Sequence, residues 1–309
     1  MEKTLLLNAE EVCYTSLALG RLYNQHALQL AKDIALFSPK IPFVALTDRP
    51  HLYKNLNGVL EIKHTPQSVG IYHDKLFCIK ESLSRFNTCI FLDADCRLLG
   101  DFAQSRQWKP GITAKSCCSL QKHLTRNSKP QTVKAYELAC QVAQLYRLNL
   151  EDARFVIEIA FIVSHIEDSI SVFIQTWEEI RDTFESQGIF NGEGMAIALA
   201  ALRSQLPIYH YNTGYFNTPE EGIILYKDKL YNRKIEFLSS EDKKLILTLE
   251  SDRQKIINPF PNAWLNKALT SLEKLSLFLG KKIRFLKLKL KKIYSKLLKT
   301  FISKISNKS

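Results

Sequence analysis

An α/β architecture, with a mixed and mostly parallel sheet flanked by helices, is the expectation for this chain on three grounds. Strand-like and helix-like segments alternate through its first hundred residues, as in a sheet joined by crossover helices. Residues 89–92, Cys-Ile-Phe-Leu, are apolar without alternation, the pattern of a strand covered on both faces. Two strand segments run straight into carboxylates, Asp48 and the pair Asp93 and Asp95, at the strand end where open α/β sheets bind ligands.

In chain order, 4–7 reads as a first strand and 14–37 as a long helix. Residues 42–46 read as the next strand, running into Thr47-Asp48-Arg49-Pro50, and 59–63 as a third. Asp74 stands where a helix cap belongs, with Lys75 in the first turn of a helix to about 86. The strand at 89–92 follows. Residues 108–129 read as a polar loop, 133–146 as a helix and 155–164 as an apolar strand. Helices are expected at 169–184 and 194–204, and a short strand at 208–212. No pattern resolves 213–275.

The 309 residues are 46% hydrophobic and 24% charged, an ordinary globular balance with ample material for a core. Seven cysteines show no C-x-x-C spacing, which points to reduced thiols in a cytosol. The first ten residues read as strand rather than signal peptide. No stretch approaches the roughly 18 uninterrupted apolar residues of a membrane-spanning helix.

Charge is uneven. The formal net charge is +12, yet residues 281–309 hold eleven Lys or Arg and no acid, leaving +1 for residues 1–280. Within that tail Leu286, Leu290, Ile293, Leu297 and Phe301 recur at helical spacing among lysines. A basic amphipathic helix of this kind is expected to lie on an anionic membrane surface. A helix packed on the body is the competing expectation, and interleaved aliphatic residues make a nucleic-acid arm the weakest of the three.

Asp93 and Asp95, one residue apart at a strand end, can approach a common cation, and such hard oxygen ligands suit Mg²⁺ or Mn²⁺. Residues 73–83, His-Asp-Lys-Leu-Phe-Cys-Ile-Lys-Glu-Ser-Leu, and 89–102, with Asp-Ala-Asp and then Asp101, resemble glycosyltransferases of the GT-A type, most closely the glycogenin-like family 8 members. The resemblance covers about 4–102, is weaker over 155–215 and is absent from the tail. It implies a catalytic domain over 1–275, with a nucleotide-binding half at 1–102 and an acceptor half at 103–275, followed by the tail at 276–309. It further implies Asp93 and Asp95 as ligands of Mn²⁺ or Mg²⁺, Lys75 close to the nucleotide, and Leu7, Asn8, Tyr14, Asp48 and Ala94 around base, ribose and metal. Residues 190–200 resemble the acceptor-side loop and helix, with Glu193 and Asn191 as its catalytic candidates. The family's late histidine element is missing, and His210 is the candidate substitute for the third metal ligand.

The function so implied is metal-dependent, retaining transfer of a sugar from a nucleotide diphosphate to a glycan or lipid-linked acceptor, at the inner face of a membrane. Two other readings stay open. A non-catalytic, membrane-peripheral sugar-nucleotide binder or scaffold would have the tail as its functional part. A haloacid-dehalogenase-type phosphatase would use the first Asp as nucleophile, but Cys96 follows the pair and no later acidic pair is visible.

Overall fold

The computed structural model describes residues 11–98, 100–101, 103, 108–114, 118–126, 128–164, 169–210, 223–224, 248 and 251–306. Nine strands are assigned: β1 Val12–Ala18, β2 Phe43–Thr47, β3 Val59–Lys63, β4 Thr88–Leu92, β5 Arg97–Leu98, β6 Gly111–Ala114, β7 Ala160–Ser164, β8 Ile208–His210 and β9 Ile223–Ile224. The principal helices are α1 Gly20–Phe37, α2 Lys75–Leu83, α3 Leu120–Leu124, α4 Pro130–Tyr146, α5 Ser169–Ser186, α6 Glu193–Arg203 and α7 Ala263–Ser306.

Seven strands form one sheet in the order β3-β2-β1-β4-β7-β6-β8, and β5 pairs with β9 in a small second one. β3, β2, β1 and β4 are mutually parallel, β7 is antiparallel to both of its neighbours, and β8 is parallel to β6. The expected α/β sheet, mixed and mostly parallel, is therefore present.

Its core follows from strand alternation. Cys13, Val44, Leu46, Cys89, Phe91, Phe161 and Val163 enter one buried cluster with residues of α2, α4, α5 and α6. Their chain neighbours Tyr14, Phe43, Ala45, Ile90, Leu92 and Ile162 enter a second cluster with α1. Successive side chains thus serve opposite faces, and both faces are covered. Apolar residues on both sides of the strands are what make 89–92 read as one continuous run.

Three expectations need correcting. Residues 14–18 are not the start of a helix but the body of β1, and the helix begins only at Gly20, whose φ is +78°. Val-Cys-Tyr-Thr-Ser is rich in strand formers, and the glycine marks the break between strand and helix. The expected first strand at 4–7 lies outside the described residues. The polar loop at 108–129 contains β6, four buried residues pinned between β7 and β8, and the short helix α3. The third concerns the C-terminal helix, which begins at Ala263 and runs 44 residues rather than starting near 276.

The junction of β1, α1 and β2 is fixed by one side chain. The Asn24 amide donates to Ala18 O (3.0 Å), Gly20 O (2.7 Å) and Asp48 Oδ1 (2.8 Å). Its oxygen accepts from the Thr47 hydroxyl (2.5 Å) and the Tyr53 hydroxyl (3.1 Å).

Candidate active site

Strand numbering runs outward in both directions from the β1–β4 pair, with β2 and β3 to one side and the later strands to the other. The carboxyl ends of β1 and β4 therefore flank the point where strand order reverses, the place where sheets of this kind leave a crevice. β4 delivers Asp93 and Asp95 there, on a tight turn closed by the Cys96 N–H donating to Asp93 O at 2.9 Å. Both carboxylates are partly exposed.

Lys75, at the start of α2, enters the same place from below the surface. Only 6% of it is exposed. Its ammonium lies 2.9 Å from Asp93 Oδ1 and 3.5 Å from Glu193 Oε1, and it donates to Glu158 O at 3.0 Å. Burial opposes its charge, but Asp93, Glu193 and Glu158 outweigh that penalty and hold the lysine above its ordinary range. Three expected site residues, Lys75, Asp93 and Glu193, thus meet although 118 positions separate the first from the last. Lys75 does so as a buried tie between carboxylates.

Glu193, the first residue of α6, is 3% exposed, and its Oε2 has no hydrogen-bond partner. Burial pushes its carboxyl up to about 7; Lys75 works against the rise and Glu158 with it.

Glycines at two seams make this convergence possible. A Cβ on Gly70 would strike the Phe190 carbonyl, so only glycine lets the loop before Lys75 lie against the loop before Glu193. A Cβ on Gly194 would fall 2.5 Å from Val156 O and 3.0 Å from Glu158 Oε2. The loop before Lys75 is held on both sides. Asp74 accepts from Gln67 N at 2.9 Å, Ser68 N at 2.7 Å and the His64 ring at 2.9 Å, and Glu185 accepts from Val69 N and Gly70 N, each at 2.8 Å. Between these clamps Ile71 has φ +71°, a left-handed conformation that a β-branched residue rarely adopts. Strain of this kind persists only where its surroundings impose it. Here it falls directly before the short 3-10 turn at Tyr72–Asp74 that leads into α2.

No family model and no curated protein matches the chain. The reading of the site rests on its own chemistry.

Several expected residues stand elsewhere. Tyr14 is a core residue with no exposed surface, its hydroxyl 3.3 Å from Ser38 Oγ. The misplaced first strand had put it at a nucleotide edge. Ala94 is 3% exposed. Asp48 lies on the correct sheet edge, but its carboxylate accepts from the Gly20 N–H (3.1 Å) and from Asn24, which commits it to the start of α1. Asn191 is exposed just before α6, its Oδ1 3.5 Å from Gln131 Nε2. Leu7 and Asn8 lie outside the described residues. His210 ends β8, level in register with Ala114, Phe161 and Phe91. Three strand spacings, about 14 Å, separate it from β4. Among the described residues no three His, Cys, Asp or Glu side chains form a group that could hold a metal.

Other site residues escaped the sequence reading. Tyr23, in the first turns of α1, is half-exposed, and its hydroxyl is raised by partial burial and then by Asp95, Tyr72 and Asp93. One phenol therefore feels both carboxylates of the Asp-x-Asp turn and a second exposed tyrosine. Correct placement of β1 would have put Tyr23 just past a strand end. Glu158, two residues before β7, carried no sequence signal, because its role depends on antiparallel pairing of β7 with β4.

Proposed function

We propose that the protein is a metal-dependent glycosyltransferase that moves a sugar from a nucleotide diphosphate donor to a glycan or lipid-linked acceptor. The observation that carries this reading is the meeting of Lys75, Asp93 and Glu193 beside Asp95 at the strand-order reversal. One ammonium among the carboxylates of Asp93, Glu193 and Glu158 leaves the crevice acidic. A diphosphate would be repelled from such a site without a cation, and a sugar developing oxocarbenium character would be stabilised by it.

The donor chemistry at Asp93 and Asp95 fits a hard divalent ion. Both are carboxylates on one turn, both are partly exposed, and both act on the Tyr23 hydroxyl. With no third side-chain ligand of the expected types grouped with them among the described residues, substrate phosphate and water would complete the shell, as is usual for Mg²⁺. Such an ion supplies Lewis-acid neutralisation of the leaving diphosphate. The chain supplies the rest. Lys75 fixes the Asp93 carboxylate through their 2.9 Å ion pair. Tyr23 and Tyr72 offer half-exposed rings at the mouth for the flat part of a nucleotide. Glu193, its carboxyl pushed up to about 7, would pass between its neutral and ionised forms near neutrality and so could lend or take a proton on the acceptor side.

Calorimetric titration of nucleotide diphosphate sugars in the presence of Mn²⁺ tests the reading. Micromolar binding that requires the metal and disappears in Asp95→Ala is expected. Equal affinity of wild type and variant for every donor would remove it.

A further inference from the structure

Helix α7 presents two different sides. Glu273, Arg284 and Lys291 fall on one line along it, and each meets the body: Glu273 Oε1 accepts from Arg21 Nε at 2.7 Å, Arg284 Nη2 donates to Val69 O at 3.2 Å, and Lys291 Nζ lies 3.1 Å from Asp182 Oδ2. Phe285 adds an edge-on contact with Phe190, ring centroids 5.7 Å apart. Roughly 120° round the helix, at 100° per residue, runs a second line made of Leu272, Leu279, Ile283, Leu286, Leu290 and Ile293. These six are 51–66% exposed. The apolar stripe is therefore not what packs α7 on the body.

We infer that this outward stripe is a docking face for an anionic lipid bilayer, with α7 lying in the interface while its inward line holds the body. Charge decides the occupant. No Asp or Glu occurs after Glu273, and lysines border the stripe on both sides, Lys282 on one and Lys287 on the other. Two such faces would repel each other in a pair of copies, whereas acidic headgroups complement them. A row of leucines between lysines is the pattern of a helix lying along a membrane, and no described helix is long and apolar enough to cross one. The face begins at Leu272, before the tail expected at 276–309; the side chains of Leu297 and Phe301 lie beyond the described ones. Through Arg284 and Phe285 the helix also grips the two loops that carry Lys75 and Glu193, so the crevice is tied to the bilayer-facing helix by side-chain contact.

This inference stands apart from the donor chemistry, and its test needs no sugar. Full-length protein is sedimented with vesicles of phosphatidylcholine, with and without phosphatidylglycerol. Strong pelleting with the anionic vesicles is expected, about tenfold weaker with neutral ones and falling with added salt. Leu286→Glu with Leu290→Glu should abolish it while the thermal midpoint is unchanged. If that variant fails to fold, Lys282→Glu with Lys287→Glu probes the same face by charge alone. Undiminished pelleting of either folded variant overturns the inference, as does a wild type that ignores both vesicle types. A dimer in sedimentation velocity that Leu286→Glu with Leu290→Glu dissociates would give the face to a second copy instead.

Discussion

The two halves of the central sheet are built by different means. In β3-β2-β1-β4 every strand is parallel and each is reached from the one before it in the chain through an intervening segment, most of them helical, so each unit carries its own pattern of strand, break and helix. In β7-β6-β8 the chain reverses, β6 hides in a polar stretch, and pairing joins residues 47 to 96 positions apart. Local periodicity describes the first kind of construction and is nearly blind to the second. The candidate site draws on both: Tyr23, Tyr72, Lys75, Asp93 and Asp95 from the first half, Glu158 and Glu193 from the second.

The sharpest way to break this partnership is at the tie between the halves. Lys75→Met should leave Asp93 and Glu193 facing each other without their cation. A loss of about 3–5 kcal/mol is expected in urea unfolding at neutral pH, as for removing one partner of a buried ion pair. Loss of less than about 1 kcal/mol would mean that the lysine does not join the halves.

Next in size is a change confined to the first half. Asp95→Ala should weaken donor affinity in Mn²⁺ by about a hundredfold, equivalent to about 2.7 kcal/mol, with donor affinity in chelator unaffected. Because Asp95 is partly exposed, the thermal midpoint should move by no more than about 2 °C.

A change confined to the second half should be read by pH. Glu193 titrates near 7 in the fold, against about 4.3 for an ordinary glutamate. The folded state therefore binds more protons between those values, and stability falls as pH rises through that window. Glu193→Gln should flatten that fall. It should match wild type within about 1 kcal/mol at pH 5 and exceed it by about 2 kcal/mol at pH 8, measured by chemical unfolding. A parallel pH dependence in the two proteins would assign the slope to other groups.

The smallest effect belongs to the clamped loop. Ile71→Gly should relieve the left-handed backbone and stabilise the fold by about 1 kcal/mol, while donor affinity drops because the turn that carries Tyr72 becomes less constrained. Stabilisation with unchanged affinity would separate the strain from the site.

The same division explains what could be read from the sequence. β2, β3, β4, α2, α4, α5 and α6 were legible because their apolar residues recur at the period of the element they form. β1 was missed because Tyr14, Leu17 and Leu22 also suit the face of a long helix, and only Gly20 separates the two periods. Asp93 and Asp95 were legible as a strand-end pair. That Lys75 points inward was not, because a helix-start lysine looks the same in sequence whether it faces phosphate or a buried carboxylate. Glu158 was out of reach, since nothing near it in the chain announces that Leu92 and Ala160 are paired.

Asn24 lies outside the crevice, yet it governs how the crevice floor is laid. Its amide makes five hydrogen bonds, to β1, to α1, and to the two side chains that follow each other at the end of β2, with Tyr53 as the fifth partner. Displacing β2 by one position would turn Thr47 and Asp48 to the opposite faces and leave the fully buried Asn24 amide without two of its partners. One interior asparagine thus works as a gauge of alignment: it tolerates a single offset between the first two strands and penalises every other.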